Sequence, residues 1–393
     1  MTELTPLTRN IYRLQRVALL VGAGASLLML IGFFVDRDQF FRSYLVGYLY
    51  WLAPALGSLA LVMLHNLTSG AWGFAIRRLL ESAVRTLPFL AVLFLPILFG
   101  IHSLYEWSHA DVVAHDPILQ AKSGYLNTGF FVTRAVLFFA IWITLAMFEV
   151  RLTERYDRTL SERALRRVKL LSGFGLGLYV LTMSFASFDW GMSLEPHWFS
   201  TIYGIHFVVG QGLSTLCLAT LVASRLARHE PFSRWLERSH FHDLGNLTMA
   251  FVMLWAYISF SQFLIIWSGN LPEETPWFLN RLDGAWQSIA LILLIAHFVL
   301  PFLLLLNRKA KQNASILSKI AVAILLLRFL DFYWILAPAF QHGEFHPSWM
   351  DVCAPIALGG LWIWAFTRGL HGRPLVSLQD GNLLSKLEEG ATS

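Results

Sequence analysis

Apolar residues gather into ten long segments, separated by shorter stretches in which polar and charged residues dominate. Because an α-helix rises about 1.5 Å per residue, roughly 20 apolar residues cross the ~30 Å hydrocarbon core of a bilayer. Segments of about that length lie at residues 13–35, 42–65, 86–105, 129–150, 168–188, 197–223, 244–268, 283–306, 316–338 and 349–368. The pattern predicts an all-α polytopic membrane protein with ten transmembrane helices.

The order of the segments suggests how they pack. We expect helices 2–5 (about 42–188) and helices 6–9 (about 197–338) to form two four-helix bundles, with the first and tenth helices flanking them. The whole chain, 1–393, then forms a single integral-membrane domain without a soluble domain. No convincing sequence repeat relates the two predicted bundles. Ser161 is placed to cap a helix at its N-terminus.

Composition indicates a membrane environment, and the distribution of charge predicts the orientation in the membrane. The chain is 56% hydrophobic and only 14% charged, against roughly 25% charged in an average soluble domain. Most of its 30 Lys and Arg residues lie near the N-terminus, in alternate loops and in the C-terminal tail, as at Arg373 and Lys386. The positive-inside rule therefore places both termini in the cytoplasm. The net charge of +5 reflects this topology, and we expect no nucleic-acid partner.

Ionisable residues within predicted spans are functional candidates, because each costs roughly 2.5–3.5 kcal/mol to insert. One group lies toward the predicted outer side: His102 and Glu106 one helical turn apart, Arg134 near the outer end of the fourth span, and Asp189 at the end of the fifth. Together they could receive protons and pass them outward. The alternative is a plain ion pair between Arg134 and Glu106 at the interface.

A second group lies in the later helices. Arg328 and Asp331 are three residues apart on the ninth span, and His206 is expected at comparable depth, roughly 13 Å into the sixth. Gln262 and His297 are placed to join them. We interpret His206 facing the Arg328–Asp331 pair as a proton relay; an intrahelical pair that merely makes two charges tolerable is the alternative.

Fewer candidates lie toward the cytoplasm. Glu149 and Asp243 are placed to feed an inner half-channel, or to meet water at helix ends. A haem b site is not expected, because His206 and His297 differ in depth by about 9 Å, and His65 and His102 lie at opposite ends of their spans. Cys217 and Cys353 are too few for an iron–sulfur site, and no metal site is predicted. Any electrons must therefore go to another subunit.

Four longer stretches carry a family resemblance. The first stretch runs from His115-Asp-Pro-Ile-Leu to Arg134, and the second from Ser187-Phe-Asp-Trp-Gly-Met-Ser-Leu-Glu-Pro-His to Tyr203. The third runs from Leu254-Trp-Ala-Tyr to Glu274, and the fourth from Arg328-Phe-Leu-Asp-Phe-Tyr-Trp to Phe340. Together they resemble the ActF-type membrane subunit of bacterial alternative complex III, within the NrfD/PsrC-like superfamily.

That resemblance implies a subunit of a quinol:cytochrome c oxidoreductase in the bacterial inner membrane, without a redox centre of its own. The implied partners are a homologous NrfD-like membrane subunit, an extrinsic iron–sulfur subunit, haem c subunits, quinol and lipids. The sister subunit is the better candidate for the working quinol site, so quinone binding here stays open beside proton conduction. The residues carried over are Asp116, Arg134, Asp189, Glu195, His197, Gln262, Glu273, Arg328 and Asp331. Of these, we expect Asp116, Glu195, His197 and Glu273 to help dock the iron–sulfur partner.

Two other readings remain. A membrane anchor of a molybdopterin oxidoreductase belongs to the same superfamily, and the presence of a multihaem partner would discriminate against it. A secondary transporter is the candidate from a different class, since Pro88, Pro96 and Pro301 could break helices near the midplane. Against it, no internal repeat or paired glycine break is apparent.

Overall fold

The computed structural model describes residues 6–230, 232–341 and 344–370, and within these ranges all regular secondary structure is helical. Ten long helices dominate, here numbered α1 to α10: Pro6–Val35, Arg37–Thr68, Ala71–Val84, Thr128–Thr159, Glu162–Trp190, Tyr203–Leu226, Arg238–Gly269, Gly284–Leu306, Ala314–Leu336 and Trp349–Leu370. The basic tail residues Arg373 and Lys386 lie outside the described residues.

Among the described residues, nine helices are long and apolar enough to cross a membrane. The remaining predicted span, the ninth at 316–338, corresponds to α9, which is 23 residues long. It differs from the other nine because Lys319, Arg328 and Asp331 all fall within it. The protein is therefore a multi-pass helical membrane protein by length and composition, while the count of ten stays a prediction.

The third span begins earlier than hydropathy indicates. Instead of starting near residue 86, the chain turns at Ser69 and Gly70 and is helical from Ala71 to Val84. It then continues as three short helices, Leu87–Leu93, Leu95–Phe99 and Ile101–Leu104. Two of these carry a proline in their first turn, where the missing N–H breaks the continuous helix.

Arginines that the sequence assigns to a loop lie in this earlier helix, and ion pairs accommodate them. Arg77 and Arg78 each contact both Glu81 and Asp157, and Arg85 contacts Glu154 at 2.7 Å. Asp157 and Glu154 lie on α4, which continues to Thr159, well past the predicted end at residue 150. The turn into α5 is correspondingly short, and Ser161 caps that helix as predicted by accepting a hydrogen bond from the Ala164 N–H.

Packing centres on α2 and α6, whose membrane-length segments are the most buried of the nine. Helix α2 contacts α3, α5, α6 and α10, and α6 contacts α5, α7 and α9. Helix α1 lies on α10, and Gly22 and Gly360 allow the two backbones to touch. Because the predicted bundles share the α2–α6 and α5–α6 contacts, the division into two four-helix bundles remains a prediction. We call the end that carries residues 100–127, 191–202 and 270–283 the outer end.

Candidate functional site

Three side chains converge on one buried carboxylate oxygen. Oδ2 of Asp331 accepts hydrogen bonds from Arg328, one turn away on α9, and from the Trp255 indole N–H at 3.3 Å. Nε2 of His206 lies 3.5 Å from the same oxygen. The side chain of Asp331 is buried, so the arrangement concentrates an ion pair and an imidazole in a site that excludes bulk water. The sequence predicted the meeting of His206, Arg328 and Asp331.

A glycine on α6 makes room for the arginine. A Cβ atom at Gly210 would lie 2.1 Å from Nη2 of Arg328, far inside contact distance. The guanidinium, 1% exposed, packs against this bare backbone and also lies over the Phe332 ring at 5.0 Å. Gly210 thus positions Arg328 so that it can reach Asp331.

The depth predicted for His206 is wrong. Helix α6 begins at Tyr203, so His206 lies in its first turn, about 4–5 Å along the axis rather than roughly 13 Å. The residues from 197 to 202 form turns that lie outside the helix. Asp331 is likewise only five residues from the end of α9. The cluster therefore lies near the outer end of the molecule.

A cavity of about 320 Å³ opens beside this cluster, between α6, α7, α8 and α9. His206, Gln262 and Asp331 contribute polar atoms to its wall, and Ser259 approaches Nδ1 of His206 at 3.4 Å. Most of the remaining wall is aromatic or aliphatic. Phe260 and Leu294, which border it, are 61% and 53% exposed on the apolar flank of the molecule. We call this space the membrane cavity.

His297 lies behind the cavity rather than in its wall. It sits in a π-helical turn of α8, Leu293–Val299, and its ring centroid is 4.2 Å from that of Trp255. It is fully buried, and neither ring nitrogen has a hydrogen-bond partner. Single π-helical turns are frequent at functional sites. The predicted association of His297 with the cluster is thus indirect, through the Trp255 ring.

The four candidates of the outer group lie in two separate places. Arg134 and Asp189 form a two-point ion pair with N–O distances of 2.7 and 3.0 Å, and Arg134 is further held by the Tyr125 carbonyl and ring. The alternative pairing of Arg134 with Glu106 is therefore wrong.

His102 and Glu106 do not share a helix face, because the helix ends at Leu104 and Tyr105 is extended. Both are exposed and border a separate cavity of about 570 Å³, whose wall also includes Arg37 and Arg42. Within it, Nδ1 of His102 lies 3.1 Å from the Ser108 hydroxyl. The structure thus separates His102 and Glu106 from the Arg134–Asp189 pair.

The two inner candidates differ in burial. Glu149 is 1% exposed and accepts hydrogen bonds from Asn66 and from Ser172, both uncharged. Asp243 lies near the start of α7 with its side chain 44% exposed, 3.8 Å from His242. Glu149 is therefore a buried carboxyl held by neutral donors, whereas Asp243 meets solvent as a helix-end residue does.

Three of the four residues predicted to dock a partner line one pocket at the outer end. Glu195, His197 and Glu273 border a space of about 330 Å³, which we call the outer cavity. Asp116 joins them through a hydrogen-bonded contact with Nε2 of His197 at 2.6 Å. Hydrogen bonds from the Leu119 and Ile118 amides, together with His197, hold the pKa of Asp116 below its usual range. Nearby, partial burial lowers the pKa of Lys122, which donates to the Pro196 carbonyl.

Sequence reasoning missed two contributors. Trp255 connects Asp331 to His297, and Arg281, assigned to a loop, is fully buried in an ion pair with Glu195. A usable signal existed for Arg281: it follows Trp277 by four residues, and its guanidinium lies 3.8 Å from that ring.

Within the described ranges, no group of three or more His, Cys, Asp or Glu side chains is arranged to hold a metal ion. No protein-family model matches the chain, and no curated protein matches it. The site must therefore be interpreted from its own geometry.

Proposed function

We propose that this chain is a ten-helix membrane subunit of a respiratory quinol:cytochrome c oxidoreductase of the alternative complex III type. In this proposal it lies in the bacterial inner membrane with both termini in the cytoplasm. It has no redox centre of its own, and works beside an NrfD-like membrane subunit, an iron–sulfur subunit and haem c subunits. The membrane cavity beside the His206–Asp331–Arg328 cluster is the observation that carries it.

The cavity suits the head group of a quinol. Its volume, about 320 Å³, lies at the small end of the range of roughly 300–1,000 Å³ found for small-molecule pockets. Aromatic walls formed by Trp334, Phe263 and Phe278 offer flat contact to a ring, while Gln262 and His206 offer polar contacts to its oxygens. Exposed Phe260 at the rim leaves an apolar path for an isoprenoid tail.

The cluster can take a proton without isolating a charge. Before transfer, Arg328 and Asp331 neutralise each other and Nε2 of His206 has no hydrogen-bond partner. A proton from the quinol hydroxyl gives an imidazolium that Asp331 stabilises at 3.5 Å. Quinol oxidation releases two protons and two electrons; the electrons leave to the redox centres of partner subunits. Glu149, buried farther inward, is the candidate for uptake from the cytoplasm.

Docking of the iron–sulfur partner is assigned to the outer end. Around the outer cavity, Asp116, His197 and Glu273 are exposed or partly exposed and present two carboxylates and an imidazole. They are the surface that a soluble subunit would meet.

The test is purification of the complex through this chain in mild detergent, followed by subunit identification, a haem spectrum and quinol:cytochrome c activity. Asp331→Asn should lower turnover about a hundredfold, the lower end of what positioned acid–base groups contribute. Asp111→Asn, an exposed carboxylate outside every cavity wall described above, serves as the matched control. Unchanged turnover and proton stoichiometry in Asp331→Asn would contradict the role of the cluster. A colourless protein that purifies alone would contradict the respiratory assignment and favour a transporter.

A further inference from the structure

The membrane cavity and the outer cavity share a wall. Trp277 lines both, is 5% exposed, and stacks on Trp198 with ring centroids 4.5 Å apart and planes inclined by 13°. Trp334 packs edge-on against the same ring at 5.8 Å. This aromatic layer, with Tyr203 beside it, lies between the cavity next to His206 and the cavity at the outer end.

One ion pair crosses that layer. The guanidinium of Arg281 is fully buried and lies 3.8 Å from the Trp277 ring centroid. It donates to Glu195 at 2.5 and 3.3 Å, to the Trp277 carbonyl at 2.9 Å and to the Ile335 carbonyl at 2.7 Å. Two carbonyl acceptors fix the arginine independently of the carboxylate. Glu195 retains 21% exposure and faces the outer cavity.

The inner side of the pair lies close to the proton-accepting cluster. Ile335 is one helical turn beyond Asp331 on α9, so the guanidinium is anchored one turn from that carboxylate. Tyr203 lines the membrane cavity, its ring is 5.7 Å from that of Trp198, and its hydroxyl lies against Gly191. The phenol therefore stands between the His206 side and the Glu195 side of the wall.

We infer that Glu195 is the outer exit of the proton path, and that Arg281 is the positioning residue that holds it there. This inference rests on the proposed function. The proton leaves the His206 imidazolium, crosses beside Tyr203 and binds a carboxylate oxygen of Glu195, whose O–H then breaks to release it to water in the outer cavity. Arg281 stays in place on its two carbonyls and holds the carboxylate at the outer cavity.

The experiment uses the intact complex reconstituted in vesicles, with an external pH dye, quinol turnover and the solvent deuterium isotope effect as readouts. Glu195→Gln should slow proton release and turnover at least tenfold, raise the isotope effect and flatten the pH profile. Its content of bound quinone should remain that of the wild type. Glu274→Gln, in the same outer loop but outside the cavity wall, is the matched control and should behave as the wild type.

If the Glu195–Arg281 pair only stabilises the fold, Glu195→Gln unfolds at a lower temperature but keeps the wild-type rate, isotope effect and pH profile. That result overturns the inference. If Glu195→Gln does not assemble, Glu195→Asp keeps the charge for Arg281 but shortens the reach by one methylene. Slower release with a raised isotope effect supports the exit, and wild-type values overturn it. A wild-type complex that oxidises no quinol overturns the proposed function itself, which separates the two failures.

Discussion

The absence of a side chain at Gly210 makes room for Arg328 to reach Asp331. Arg328 and Asp331 are three residues apart on one helix, so their spacing alone predicts contact. Their burial, however, depends on Gly210 of the neighbouring helix, against which the guanidinium packs. Sequence spacing identified the Arg328–Asp331 pair but not its contact with Gly210. A contact between helices depends on how those helices are rotated against each other.

Gly210→Ala should separate this pair. Its methyl group would overlap Nη2 of Arg328, and breaking a buried ion pair costs roughly 3–5 kcal/mol, an upper bound here because the helices can shift slightly. We expect a lower unfolding temperature and a fall in quinol turnover like that of Asp331→Asn. Gly177→Ala is the control, since a Cβ there meets nothing within 4 Å. Equal unfolding temperatures for the two variants would refute the positioning role of Gly210.

Residues near helix ends were the least predictable part of the site. The sequence places His206 too deep because the predicted sixth span includes residues 197 to 202, whereas α6 begins at Tyr203. A Glu106–Arg134 pair is an alternative that similar predicted depths leave open, yet the extended Tyr105 turns the chain before Glu106. Hydropathy reports where apolar residues are, and it does not report where a helix ends.

At the scale of elements, the carboxylate of Asp116 stabilises the outer loops through two sets of contacts. Asp116 caps the short helix Pro117–Lys122 and pairs with His197 from the loop before α6. Because these contacts lower its pKa in the folded state, their stabilisation is present above the unfolded pKa, about 3.9, and is lost as pH falls through the lower folded value.

Amide exchange in residues 115–123 should therefore rise as pH falls below about 4, relative to the intrinsic rate at each pH. Asp116→Asn should already show the faster, unprotected exchange at pH 6, and its protection should change little with pH. Asp111→Asn, with an exposed side chain, should follow the wild type. Protection of the wild type that stays constant down to pH 3 would show that Asp116 does not fasten these loops.

Helix α1 depends on a close crossing. A Cβ at Gly22 would lie 2.8–3.0 Å from backbone atoms of Gly360 and Leu361 on α10, whereas a Cβ at Gly24, half a turn away, meets nothing within 4 Å. Close packing of small residues is a main source of helix association in lipid, where apolar burial gives little driving force. The sequence placed α1 as a flanking helix but gave no indication which helix it would contact.

Gly22→Val should push α1 away from α10, whereas Gly24→Val should leave the crossing intact. A cysteine pair placed across the α1–α10 contact, in a background without Cys217 and Cys353, reports the separation as lost disulfide formation in membranes. Equal cross-linking in both valine variants would mean that the crossing does not hold α1. The comparison is strict because both substitutions add the same volume to the same helix.

At the scale of the whole molecule, the sequence predicted the helical class and nearly every long helix, because 20-residue apolar runs have few other uses. The sequence could not predict the wall between the membrane cavity and the outer cavity. Its residues Trp277, Glu195 and Ile335 come from distant parts of the chain and meet only in the folded state. The remaining question at this scale is whether α9, which carries three charges, crosses the membrane as the other nine helices are suited to do.

That question has a direct topological test. In intact cells, a cysteine at Lys309, before α9, and another at Glu344, after it, are probed with a membrane-impermeant maleimide in the absence of native cysteines. Both positions are exposed. If α9 spans the membrane, Glu344→Cys is labelled from outside and Lys309→Cys only after lysis. Labelling of both positions from the same side would leave nine crossings, place the two termini on opposite sides, and remove Asp331 from the interior of the bilayer.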